Sequence, residues 1–193
     1  MVPTLCRTLG VKGHRPVVGT RDNKDLLHVF ASANCVTGRL QTRALSSRAK
    51  DLRAARRRGD AGRKRVSKTR RMTRAFASHL RDVAKAYPAE RHRRVVLVID
   101  NAPWHRGQPV KGVLAAFPHL ELYRLPPYSP QLNPIERLWK SLRQRSTHNR
   151  LSDTLEDLTK CVRSGLGYFR SDGRRVVRLL GKGFGKRTNI TGS

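Results

Sequence analysis

Leu125-Pro126-Pro127-Tyr128-Ser129-Pro130-Gln131-Leu132-Asn133-Pro134-Ile135-Glu136-Arg137-Leu138-Trp139-Lys140-Ser141-Leu142 joins a stiff connector, a helix start and one acidic side chain. Pro126, Pro127 and Pro130 fix φ and remove N–H donors, so residues 125–130 are expected to be extended and rigid instead of helix or central strand. Asn133 is placed to cap a helix. Pro134 falls at the first helical position, where a missing N–H costs nothing, and Glu136 at the third. Ile135, Leu138, Trp139 and Leu142 form an apolar stripe at helical spacing, so this helix covers a core and holds Glu136 on a rigid element. Asn-x-x-Glu is also a capping-box arrangement, and the helix dipole favours an acid in the first turn. The stretch alone leaves capping and chemistry both open.

Immediately upstream, Leu120–Leu125 alternates as a strand and Pro109–Phe117 reads as a short helix. Before them, Val95-Val96-Leu97-Val98-Ile99 is a continuous apolar run, the pattern of a central strand buried on both faces, and it delivers Asp100 and Asn101 at its carboxyl end. Phe76, Leu80, Val83 and Ala84 recur at helical spacing over Thr73–Tyr87, which Pro88 ends. Leu26–Val36 and Arg39–Leu45 read as two antiparallel strands about a tight Thr37-Gly38 turn. Residues 1–25, rich in Gly, Pro and charge, read as loop with a short strand at Pro16–Val18. Downstream, Leu151–Tyr168 is one more amphipathic helix. The alternation predicts an α/β domain over 1–170, with a basic, disordered tail over 171–193.

Forty-two Lys and Arg against thirteen Asp and Glu give a net charge of +29 over 193 residues. Such a charge repels itself and is tolerated chiefly beside a polyanion, so nucleic acid is the expected partner. No apolar run approaches the ~20 residues of a spanning helix, and no membrane role is expected. Much of the charge lies between Arg48 and Arg74, thirteen basic residues against Asp51 and Asp60. Arg56, Arg57, Arg58, Arg63, Lys64 and Arg65 are read as phosphate contacts on a flexible insertion at about 48–74, giving salt-dependent, sequence-independent affinity. Cys6, Cys35 and Cys161 are odd in number and far apart, so neither a disulfide framework nor a zinc site is expected, and the compartment is read as the reducing cytoplasm.

Asp100 ends one strand and Glu136 opens a helix after a later one. Ligand-facing groups of open α/β sheets gather at the carboxyl ends of strands, so the two carboxylates are expected at one edge. There they suit Mg²⁺ or Mn²⁺, which in a pair can serve phosphoryl transfer. An acid directly after five apolar residues needs a partner or a metal, although a plain turn residue is the bland reading of Asp100. Asn101 and His105 are candidate supporting residues; His105 either orients Asp100, touches DNA or is a bystander. Lys140 and Arg143 lie four and seven residues after Glu136 on its helical face, placed to grip phosphates or, for Lys140, to pair with Glu136. Trp104 and Trp139 are read as core.

The segments Val98-Ile99-Asp100-Asn101-Ala102-Pro103-Trp104-His105 and Leu125–Glu136 resemble the IS630 branch of the IS630/Tc1/mariner DDE transposases. That resemblance implies a ribonuclease-H-like mixed sheet flanked by helices, and metal-dependent cutting of transposon ends with strand transfer into DNA. A bacterial, nucleoid-associated location follows, with a homodimer on DNA as a candidate assembly. Asp100 would be the second acid of the catalytic triad and Glu136 the third. The first acid, which in the family ends a central first strand, has no counterpart here. The expectation is therefore a truncated sheet lacking that strand, and DNA binding without cleavage. Two rivals remain open: a basic DNA-associated protein whose acids are structural, and a basic RNA-binding protein.

Overall fold

The structure, a computed structural model, describes residues 26–47, 67–148 and 152–181. The expected loop at 1–25, the clusters Arg56–Arg58 and Arg63–Arg65, Cys6 and the tail beyond Gly181 lie outside the described residues.

Alternating side chains fold Leu26–Ala33 (β1) and Leu40–Ser47 (β2) into an antiparallel hairpin, paired from Leu26↔Ser47 to Ala33↔Leu40. Its loop is longer than the expected two-residue turn. Asn34 Oδ1 accepts the Val36 and Thr37 N–H groups, each at 2.9 Å, the side-chain bonding by which Asn nucleates turns. Gly38 follows at φ 70°, and a Cβ there would meet the Gly173 carbonyl oxygen, so the turn tip requires glycine.

Helix α1, Lys68–Ala86, begins where the Ser67 hydroxyl accepts the Arg70 N–H, an N-cap of the ordinary kind. The basic run is thus not one flexible insertion: its end, Lys68–Arg74, forms the first two turns of this helix. The Met72, Phe76, Leu80 and Val83 face is buried, and that amphipathic stripe offsets the poor charge pattern of the first turn. Val95–Ile99 (β3), α2 (Gln108–Ala116) and Leu120–Arg124 (β4) follow, with β3 and β4 parallel and Ile99 opposite Arg124. Helices α3 (Ile135–Ser146), α4 (Leu155–Arg170) and α5 (Gly173–Leu180) complete the described fold.

The hairpin is covered on both faces. Phe30 packs with α1, α2, β3 and β4 in one apolar cluster, whereas Leu27, Val29, Ala31 and Ala33 meet Leu40 and helices α3 to α5 in another. Leu138 and Leu142 are buried in the second, with Ile135 and Trp139 packed against it, and Trp104 packs against the first. Among the described residues the strands form two two-stranded sheets, the hairpin and the parallel β3–β4 pair, as expected of a mixed sheet without a strand between them. The reading of Val95–Ile99 as buried on both faces is corrected: Leu97 and Ile99 point into the first cluster, but Val96 and Val98 remain about half exposed. A continuous apolar run reports apolarity and not which face is covered.

The basic tail expected from residue 171 begins instead with α5, because Asp172 accepts the Arg174 N–H and Val176 and Leu180 are buried against α3 and α4. Among the described residues no helix is long and apolar enough to cross a membrane, and Cys35 and Cys161 are free thiols.

Candidate active site

Because β3 and β4 run parallel, the chain leaves both at one end, and hydrogen bonds tie the two exits together. Leu125 N–H donates to the Ile99 carbonyl at 2.9 Å, and Asn101 Nδ2 donates to the Leu125 carbonyl at 2.6 Å. Asn101 is therefore a clamp between the Asp100 loop and the proline connector that leads to Glu136.

Asp100 stands at this edge with its side chain 57% exposed, so a partner from solution can reach it. Its Oδ1 accepts the Ala102 N–H at 3.0 Å. His105 Nδ1 lies 3.0 Å from the same oxygen and 3.2 Å from the Asp100 carbonyl. Burial pushes the imidazole pKa below its usual value, against the opposing pull of Asp100. His105 is thus neutral at pH 7, and its contact is a hydrogen bond donated by Nδ1–H instead of an ion pair. Its ring is fixed against Phe76, centroids 4.2 Å apart, and edge-on to Trp104. These bonds engage Oδ1, and among the described residues Oδ2 has no hydrogen-bond partner. His105 is accordingly an orienting residue for Asp100.

The expectation of an extended connector over 125–130 is corrected: the chain turns at Pro127–Tyr128, because proline fixes φ but is equally at home at a turn position. At Tyr128 the backbone enters the left-handed region, φ 55°, an uncommon conformation for a non-glycine residue, and the ring is 99% exposed. Pro130–Leu132 then makes a 3-10 turn. Asn133 Oδ1 accepts the Ile135 N–H at 3.4 Å, and Pro134 is already helical at φ −65°. The regular helix starts at Ile135, with Pro134 in the cap position and no side-chain cap bond, so the expected Asn133 cap is reduced to this one long contact and the reciprocal half of a capping box is missing. Among the described residues Glu136 makes no side-chain hydrogen bond or ion pair, including with Lys140. Glu136, Lys140 and Arg143 are all exposed, with Lys140 and Arg143 on its helical side.

Arg124 was not legible as a site residue, since an Arg closing an alternating strand is ordinarily a solvated end. It sits opposite Ile99, one residue from Asp100, and its Nη2 donates to the His105 carbonyl at 2.9 Å. Its Nη1 is buried without a partner among the described residues.

The donor types fit a hard divalent ion, since exposed carboxylate oxygens are what Mg²⁺ takes while keeping several waters. Among the described residues, however, no group of three or more His, Cys, Asp or Glu side chains is placed to hold a metal.

A family profile described as DDE superfamily endonuclease matches residues 11–159. An uncharacterised protein of Sinorhizobium fredii (strain NBRC 101917 / NGR234), y4pE/y4sA, is 33% identical over 90 residues, 46% of this chain and 62% of that protein. The insertion element IS630 39 kDa protein of Shigella sonnei is 31% identical over 88 residues, 46% of this chain and 25% of its own length. The Mos1 mariner paired-end complex with Mn superposes with a TM-score of 0.59 at 17% identity, over 93% of this chain and 48% of that one. The Mos1 transposase paired-end complex with left transposon end follows at 0.51 and 16%, over 95% and 52%. The chain thus spans about half the length of the solved chains, and the fold is the ribonuclease-H-like one they carry.

Proposed function

The chain belongs to the DDE superfamily endonucleases, and on that premise we propose that, like the IS630 and mariner transposases it resembles, it serves DNA transposition as a metal-dependent phosphoryl-transfer domain. The observation that carries this reading is Asp100 at the tied exits of β3 and β4, an exposed carboxylate with one oxygen that the described residues leave unengaged. Glu136 follows in the first turn of α3, exposed and without a side-chain partner among the described residues. Asp100 and Glu136 are the residues that would hold Mg²⁺ or Mn²⁺. When bound, such ions activate the attacking oxygen and stabilise the leaving one. His105 and the Ala102 N–H fix Asp100 through Oδ1, and Asn101 ties the Asp100 loop to the start of the proline connector at Leu125. Lys140 and Arg143, together with Arg56, Arg57, Arg58, Arg63, Lys64 and Arg65, contact phosphates of DNA. A homodimer on DNA and a place in the bacterial nucleoid complete the reading.

A second reading, a DNA-binding protein without cleavage, is favoured by one observation: the described residues supply no third acid to the pair. Two measurements on the purified chain test both. Titration with Mn²⁺ followed by electron paramagnetic resonance is expected to show binding weakened in both Asp100→Asn and Glu136→Gln; equal binding by wild type and variants would overturn the assignment of these acids. With a labelled duplex carrying the element's own ends, metal-dependent nicking lost in both variants marks the first reading. Salt-sensitive binding with no nicking at any Mg²⁺ or Mn²⁺ concentration marks the second.

A further inference from the structure

A cavity of about 430 Å³ opens beside the Asp100 loop, where the first turns of α1 and α2 meet; Arg70, Arg74, Arg106, Thr69, Gln108 and Pro109 are among its lining. That size lies in the range of small-ligand sites. Three features give it one chemical preference.

The first is charge. Arg70 and Arg74 are one helical turn apart on α1 and share a face, Arg106 comes from the loop opposite, and all three are exposed. No acidic residue lines the cavity. The second is backbone polarity. A helix start leaves N–H groups without helical acceptors and carries a partial positive charge, so it attracts anions. Neither α1 nor α2 has an acid in its first turn, and α2 begins at Gly107 with no side-chain cap. The third is a local conflict. Lys68 and Arg70 occupy the first turn of α1, where the dipole favours acids, and they add repulsion that a fold without an anion would avoid. Such a conflict with local rules is characteristic of functional positions.

We propose that this cavity is a phosphate-binding site that holds a backbone phosphate of a DNA strand next to Asp100. Arginine forks from two sides suit bidentate contact with phosphate oxygens. Position supports the assignment. Arg106 directly follows His105, which bonds Asp100 and packs on Phe76 of α1. The chain from Asp100 to Arg106 can span at most about 22 Å even if fully extended, so a phosphate held in the cavity lies within a few nucleotides' reach of Asp100. The site orients the strand and takes no part in bond making.

The inference rests on the reading of the chain as DNA-acting, and the test separates the two. Affinity for a labelled duplex is measured against NaCl concentration for the full chain, for the triple variant Arg70→Gln/Arg74→Gln/Arg106→Gln, and for a charge-matched control, Arg81→Gln/Lys85→Gln/Arg91→Gln. Loss of one phosphate contact lowers the slope of log K against log[NaCl] by about 1, with about tenfold weaker binding at moderate salt. The cavity variant is expected to show both, and the control a smaller change. Equal changes in the two variants would overturn the cavity site while leaving DNA binding intact. Failure of the unaltered chain to bind DNA would overturn the DNA-acting reading itself. Arginine modification of the unaltered protein by phenylglyoxal, mapped by mass spectrometry, is independent of how the variants fold. DNA is expected to protect Arg74 and Arg106 but not Arg163, and equal labelling with and without DNA would count against the site.

Discussion

Acidification from pH 7 to pH 4 should destabilise this fold through one residue above others, His79. Its side chain is buried in α1 at 1% exposure, with the ring stacked on Phe30. Nε2 lies 2.8 Å from Ser32 Oγ, and Nδ1 is buried without a partner among the described residues. A proton on this ring would have no anion in direct contact. Burial is the main reason that the pKa falls from 6.5 to about 4; Asp82 opposes the shift, and Arg43 and His105 reinforce it. With the folded pKa below the unfolded one, the unfolded chain takes up the proton first. The stabilisation is complete above pH 6.5 and is lost as the pH falls toward 4. Linkage over that interval gives a loss of about 2 kcal/mol by pH 5 and about 3 kcal/mol by pH 4. That is a large part of the margin of a typical domain. His28 and His105 also have lowered pKa values and add loss of the same sign, so the single-residue effect is isolated by comparison with His79→Gln. Urea unfolding of both proteins from pH 7.5 to 4.5 should show their stability difference shrinking by about 2 kcal/mol as pH falls. A difference constant to within about 0.5 kcal/mol would show that His79 does not titrate as burial requires, and would refute the reasoning.

Four further outcomes follow from the same geometry. His105→Asn should leave Asp100 Oδ1 without its imidazole donor and weaken Mn²⁺ binding by about tenfold, with the melting temperature separating this from general destabilisation. Gly38→Ala places a Cβ against the Gly173 carbonyl at positive φ and should cost more than ~2 kcal/mol in urea unfolding. Leu138→Ala, at a site with 0% exposure in the second apolar cluster, should cost about 3 kcal/mol and lower thermal stability without changing the salt slope of DNA binding. Tyr128→Gly should raise stability by roughly 1 kcal/mol by relieving its left-handed backbone; if the exposed ring stacks on a base, DNA affinity should fall in the same variant.

Local order determined much of this protein before any tertiary contact was known. Apolar periodicity placed the hairpin, the α1 stripe, β3, β4 and the α3 start close to where they lie, because those patterns are properties of short segments. Asp100 and Glu136 stand out in the sequence because each abuts such a segment. Which faces are covered was not legible. Val96 and Val98 are as apolar as Leu97, yet they are left half exposed because α1 and α2 pack on the opposite face of β3. The α5 helix was hidden by its charge, since its stability comes from docking Val176 and Leu180 on α3 and α4. Contacts between distant residues were equally out of reach: His79 with Ser32, Arg124 with the His105 carbonyl, and Arg70 and Arg74 with Arg106 around one cavity. The tertiary structure alone decided them, because a chain encodes the period of each element locally, while the neighbour each element buries is chosen only when the whole core packs.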